Sequence, residues 1–95
     1  MLLFVYGSLC SGQQHHNALL MTGAYYRGVA AVPGVLEQRV DGYSVLRPSH
    51  LGVIVRGELW AVPDFEHLDA FEGDGYQRAD VLTTLGVTAQ AYIGV

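Results

Sequence analysis

LDAFEGDGYQR, running from Leu68 to Arg78, is the stretch whose reading decides this chain. Asp64 can cap a short helix after Pro63, and at about 100° per residue Phe65, Leu68 and Phe71 form its apolar stripe. Continued on the same wheel, Glu72 falls between Leu68, four residues back, and Phe65, seven back, so a carboxylate lies on the face meant for the core. Gly73 is the expected helix stop, which puts Glu72 in the last turn, beside the negative end of the helix dipole. Burial and a helix C-terminus both disfavour an ionised carboxylate and push its pKa toward the range where it trades protons near neutral pH. The alternative is a helix that ends at Phe71 and leaves Glu72 in solvent as an ordinary loop acid.

Working outward, the chain has 95 residues, 51% of them hydrophobic, which suits one small domain with a core of its own (residues 1–95). The net charge of −4 comes from nine acids against five arginines and no lysine, without a basic run, which argues against nucleic acid as a partner. No apolar run approaches the roughly 20 residues that cross a bilayer as a helix. The apolar MLLFV at the start has no basic region before it. Cys10 is the single cysteine, so neither an intrachain disulfide nor a thiolate zinc cluster is expected, and a cytoplasmic setting follows.

Leu2 to Tyr6 reads as a buried strand that meets a sharp loop at Gly7. Ser11 and Gln14 form a capping-box pattern, with His16, Leu19 and Leu20 as the inward face of a helix that Gly23 ends. The loop Gly7-Ser8-Leu9-Cys10 then leads to a helix N-terminus, a place where free backbone N–H groups meet an anion or a polarised carbonyl. Short strands follow at Tyr25–Val32, Gly34–Gln38, Tyr43–Leu46 and Val53–Val62, with a hairpin turn at Val40-Asp41-Gly42-Tyr43. Beyond the Glu72 helix, Arg78–Thr84 and Val87–Val95 make a last hairpin around Leu85-Gly86. Only one strand-helix-strand crossover is evident, so the order predicts a mixed sheet, and so many short strands favour curling it into a small barrel with the helices at its rim.

Most familiar chemistries are absent from the pattern. The Gly7-Ser8 loop extends neither to a phosphate-binding Gly-Lys-Ser/Thr nor to a dinucleotide fingerprint, and Ser8 is not in a Gly-x-Ser-x-Gly elbow. Cys10 with His15 or His16 suggests a thiol nucleophile, but packing partners are the commoner meaning and no third member completes a triad. Adjacent histidines point to different helix faces, so no metal site is expected of them. Tyr76 and Arg78, one residue apart, share a face if that segment is a strand; they shape a polar pocket or form a structural pair.

Phe4-Val5-Tyr6-Gly7-Ser8-Leu9, then Leu68-Asp69-x-Phe71-Glu72-Gly73 with Tyr76-x-Arg78, resemble the γ-glutamylcyclotransferase-like family, and most of all its γ-glutamylamine cyclotransferase and AIG2-like branch. The likeness spans nearly the whole chain, since Gly34 to Tyr43 and Val55 to Val62 also resemble family segments in order and spacing. It implies an α+β fold, a small mixed β-barrel with two short flanking helices. It also implies release of 5-oxoproline from a γ-glutamyl amine or peptide, by attack of the substrate's own α-amino group. On this resemblance Glu72 is the general acid/base, and Tyr6, Gly7, Ser8 and Leu9 hold the γ-glutamyl part with Tyr76 and Arg78 nearby. Neither cofactor nor metal is needed, and the partner is a small γ-glutamyl molecule. A non-catalytic binding module on the same fold is the alternative. Three departures bear on the site: Cys10-Ser11 stands where many relatives have basic residues, the short Gly73-Asp74-Gly75 connection is expected to move Tyr76, and a chain short for the family is expected to leave less wall around the leaving group. The acidic composition inclines the leaving amine toward a cation, and oligomeric state is not encoded in these motifs.

Overall fold

Alternation along a strand sends Phe4 to one face of β1 (Leu2–Val5) and Leu3 and Val5 to the other, and in the computed structural model each face seeds a core of its own. The structure describes residues 1–49 and 52–94. Phe4 joins Val32, Leu46, Val55, Leu59 and Val81 inside the barrel. Leu3 and Val5 pack outward with Leu19, Trp60, Val62, Phe65 and Leu68, beneath the two helices.

The chain runs β1, α1 (His16–Leu20), β2 (Tyr25–Gln38), β3 (Ser44–Pro48), β4 (Val53–Ala61), α2 (Glu66–Glu72), a 3₁₀ turn at Gly73–Gly75, β5 (Tyr76–Leu82) and β6 (Thr88–Gly94). Strand order is β1-β4-β2-β3-β6-β5, and β6 closes the ring by pairing in parallel with β1 at Gln90 and Ala91 and with β3 at Ile93. The result is a five-strand mixed barrel with β5 lying antiparallel along β6 and two short helices beside it, the α+β architecture expected from the sequence. Closure brings the C-terminal end of β1, the start of β3 and the start of β5 together, and the site is built there.

Several local expectations change. β2 is one strand rather than two, because Pro33 directs its nitrogen away from β4, toward the side where Ser49 N–H donates to Pro33 O, so the β2–β4 ladder loses no bond. The capping box at Ser11 does not form; α1 begins at His16, and Ser11 N–H and Oγ–H both donate to Glu58 Oε1 at 2.8 and 3.2 Å. Leu20, expected inward, is exposed, since a helix of five residues buries one residue, Leu19, beneath it. β5 starts at Tyr76, two residues before the expected start, and β4 stops at Ala61. Trp60 and Val62 are buried under the helices, so on the face of β4 that carries Ile54, Arg56, Glu58 and Trp60 only Ile54 and Arg56 are exposed. The expected strand end at Val95 lies outside the described residues. No helix among the described residues is long and apolar enough to cross a membrane.

Candidate active site

The helix α2 carries Glu72 as its last residue. Asp64 Oδ1 accepts from Glu66 N–H at 3.0 Å at the start of the helix, and Gly73 ends it at φ 70°, a left-handed conformation that favours glycine. The helix therefore does not stop at Phe71. Its inward stripe is the buried Phe65 and Leu68 with the half-buried Glu72, while Phe71 stays 45% exposed. On the wheel Phe71 lies about 90° from the centre of that stripe, which is why it escapes the core it was expected to join.

Half-buried, the Glu72 carboxyl is pushed up to about 7; loss of solvation is the main cause, and the Arg39 guanidinium acts in the opposite direction. Among the described residues no side chain or backbone donor hydrogen-bonds it. Glu72 and Tyr76 line three adjoining hollows: a narrow inner cavity of about 40 Å³ and flanking depressions of about 290 and 330 Å³.

The inner cavity is walled by the loop after β1, that is Tyr6, Gly7, Ser8 and Leu9, together with Ser44, Glu72, Tyr76 and Tyr92. The loop is held by its carbonyls. Gly7 O accepts from Cys10 N–H at 3.0 Å, Ser8 O from His15 N–H at 2.8 Å, and Leu9 O from His16 Nδ1 at 2.8 Å. Among the described residues, the turn and loop hydrogen bonds include none donated by the N–H groups of Gly7, Ser8 or Leu9. A side chain at Gly7 would meet no atom within 4 Å, so the space beside it is not used by the protein. The Leu9 side chain itself is core. Glu58 anchors the far end of the loop through Ser11; burial works against its charge, but donors from Ser11 and Trp60, with the His16 ring nearby, hold its carboxyl below the usual range.

The tyrosines divide between support and lining. Tyr6 OH donates to Tyr92 O and accepts from Leu46 N–H at 3.0 Å, bridging β6 and β3, and burial pushes its pKa well above the ordinary tyrosine value. Tyr76 OH donates to Ser44 O at 3.0 Å, and burial raises this phenol as well. Arg78 shares Tyr76's face of β5, as the spacing predicts: it lines the 290 Å³ depression with Glu72, Asp69 and Tyr92. Its guanidinium lies 3.6 Å from Asp69 Oδ2 and 4.2 Å over the Phe65 ring, and Asp69 Oδ1 accepts from Tyr92 OH at 2.7 Å. Cys10 is half-buried against the helix-side core, and burial pushes its thiol up to about 11, so little thiolate is present at neutral pH.

The Glu72 carboxyl, raised to about 7, and the loop after β1 thus line one cavity. The sequence profile described as "Gamma-glutamyl cyclotransferase, AIG2-like" matches residues 3–94. The chain belongs to that family. Membership carries a cyclotransferase-type function. Solved structures share the fold. An AIG2-like protein from Mus musculus is 24% identical, with a TM-score of 0.82, covering 99% of this chain and 76% of that one. A structure described as a gamma-glutamyl cyclotransferase is 23% identical, with a TM-score of 0.67, covering 99% and 66%. Kluyveromyces lactis allophanate hydrolase is 19% identical, with a TM-score of 0.84, and there the match covers 99% of this chain but 17% of the larger enzyme. No curated protein is similar enough to be matched.

The sequence reading missed Arg39, Tyr43 and His15. They line the 330 Å³ depression with Phe71 and Glu72. Arg39 lies 5.2 Å over the Tyr76 ring and 3.2 Å from Asp41, and Gly75 makes room for it: a Cβ there would stand 2.1 Å from Arg39 Nη1. The short Gly73–Gly75 turn thus keeps Tyr76 next to Glu72. Nothing periodic marks Arg39, which lies just outside β2 beside a hairpin turn.

Proposed function

We propose that this protein releases 5-oxoproline from γ-glutamyl amines or peptides, with Glu72 as general acid/base. The observation that carries the reading is the Glu72 carboxyl, raised to about 7 at the edge of a cavity whose opposite wall offers the N–H groups of Gly7, Ser8 and Leu9.

The α-amino group and the γ-carbonyl belong to one substrate molecule, so holding it folded makes the attack intramolecular, an advantage on the order of 7 to 11 kcal/mol. Ionised Glu72 takes a proton from the α-ammonium. The freed lone pair attacks the γ-carbonyl carbon, a ring C–N bond forms, and the oxyanion that develops is held by the loop N–H groups. Glu72 returns its proton to the departing nitrogen as the old C–N bond breaks. The surplus proton on the ring nitrogen follows through the same carboxylate, so 5-oxoproline and an ammonium leave and Glu72 is again ionised. The Tyr6 and Tyr76 hydroxyls, each committed to a backbone carbonyl, shape the cavity and hold its walls.

Release of 5-oxoproline is measured by mass spectrometry over a panel of γ-glutamyl amides, wild type beside Glu72→Gln. Wild type releases it, and the variant, still folded, loses at least about a hundredfold in turnover, the lower end for a positioned acid/base. Near-normal turnover in the variant would falsify the role of Glu72, and binding without release in wild type leaves a non-catalytic module.

A further inference from the structure

The leaving amine must depart from the point where the loop donors and Glu72 meet, because its nitrogen is bonded to the same carbon as the oxyanion. Of the two depressions that flank the inner cavity, one shares Ser8 and Tyr43 with it as well as Glu72 and Tyr76. The other shares no loop residue and is walled by the Asp69–Arg78 pair. Geometry therefore selects the first for the leaving group.

That lobe is aromatic. The His15 ring stands edge-on to Phe71 at 5.2 Å and tilted against Tyr43 at 5.5 Å, and Phe71, next in sequence to Glu72, is 45% exposed. Its place on the flank of α2 leaves the Phe71 ring open to the lobe beside Glu72. Arg39 lines the lobe, 3.2 Å from Asp41, so a second ammonium brought here meets a guanidinium as well as the Glu72 carboxyl. This runs against the cationic amine to which overall composition points.

Resting on the cyclotransferase reading above, we infer that the lobe formed by His15, Tyr43 and Phe71 receives the leaving group, and that the preferred substrates are γ-glutamyl amides of amines bearing an aromatic ring. Ring stacking against Phe71 and Tyr43 supplies the discrimination, and Glu72 at the base of the lobe protonates the nitrogen as it departs.

The test compares kcat/KM, from 5-oxoproline release, for γ-glutamyl phenethylamide, butylamide and the monoamide of putrescine, in wild type, Phe71→Ala and Phe71→Leu. The phenethylamide is favoured over the butylamide by about threefold to tenfold in wild type, the worth of an aromatic pair, with putrescine last. In Phe71→Ala the phenethyl-to-butyl ratio falls to about one, and Phe71→Leu, which keeps apolar bulk without a ring, does the same. Equal rates, a preference for putrescine, or a ratio unchanged in both variants overturns the inference while leaving the cyclotransferase intact. No 5-oxoproline from any of the three overturns the cyclotransferase reading itself.

Discussion

Replacing Glu72 by Gln removes an acid whose folded pKa is about 7 against an ordinary 4.5, and this has a consequence for stability opposite to that for turnover. Below pH 4.5 the carboxyl is protonated in both folded and unfolded chains and contributes nothing. Between 4.5 and 7 the unfolded chain releases the proton while the folded chain keeps it, so stability falls as pH rises; above 7 the loss is complete. At about 1.4 kcal/mol per unit the full shift corresponds to about 3 kcal/mol, and partial contact with solvent reduces this to about 2 kcal/mol. Glu72→Gln carries no charge to bury. Its unfolding free energy, relative to wild type, should therefore rise by about 2 kcal/mol between pH 4.5 and pH 8, or about 8 to 16 °C in melting temperature for a domain of this size. Urea melts of both proteins across that range measure it, and the change with pH cancels any fixed effect of the amide. Parallel stability curves would mean that Glu72 titrates as a solvent acid, and the argument from burial would collapse.

Other substitutions separate support from chemistry. Tyr6→Phe leaves Leu46 N–H and Tyr92 O without their partner in a buried setting, and should cost about 1 to 3 kcal/mol in a urea melt; an unchanged midpoint removes the bridge from the account. Gly7→Ala puts a methyl where the protein has no atom within 4 Å, at an ordinary φ, so melting should be unaffected while kcat/KM drops about tenfold or more; unaltered kinetics would mean that no ligand approaches that wall. Gly75→Ala drives the Arg39 guanidinium out of its position, a clash with the end of a flexible side chain rather than with backbone. With the cation moved, the Glu72 carboxyl rises further, so the rise of kcat/KM with pH should shift to higher pH, as it should in Arg39→Met; profiles that coincide with wild type in both variants contradict the coupling.

Much of this arrangement was legible because its causes are local. The wheel of α2 is set by the positions of Phe65, Leu68 and Glu72, and Gly73 ends it by adopting φ 70°, so the inward carboxyl could be read without any tertiary knowledge. The hairpin at Gly42, which has φ 90°, and the shared face of Tyr76 and Arg78 are of the same kind. The first helix was misjudged because Ser11, whose local pattern favours a capping box, is captured by Glu58 from a strand 47 residues away. Pro33 was read as a break because its sequence gives no sign of which edge of the strand its nitrogen faces.

What tunes the carboxyl was hidden for a physical reason rather than for want of a motif. Arg39 reaches Tyr76 across 37 positions of chain because β6 closes the barrel and carries β5 with it, and His15 reaches Phe71 across 56 because β1 and β4, which lead into α1 and α2, pair with one another. Closure is itself a sum of weak preferences spread over every strand, and no single residue announces it. The acid is therefore readable from its own helix, whereas the polarity of the space around it is a property of the closed ring. It follows that substitution of Glu72 should alter whether the chemistry occurs, substitution of Arg39 at what pH, and substitution of Phe71 or Tyr43 on which amine.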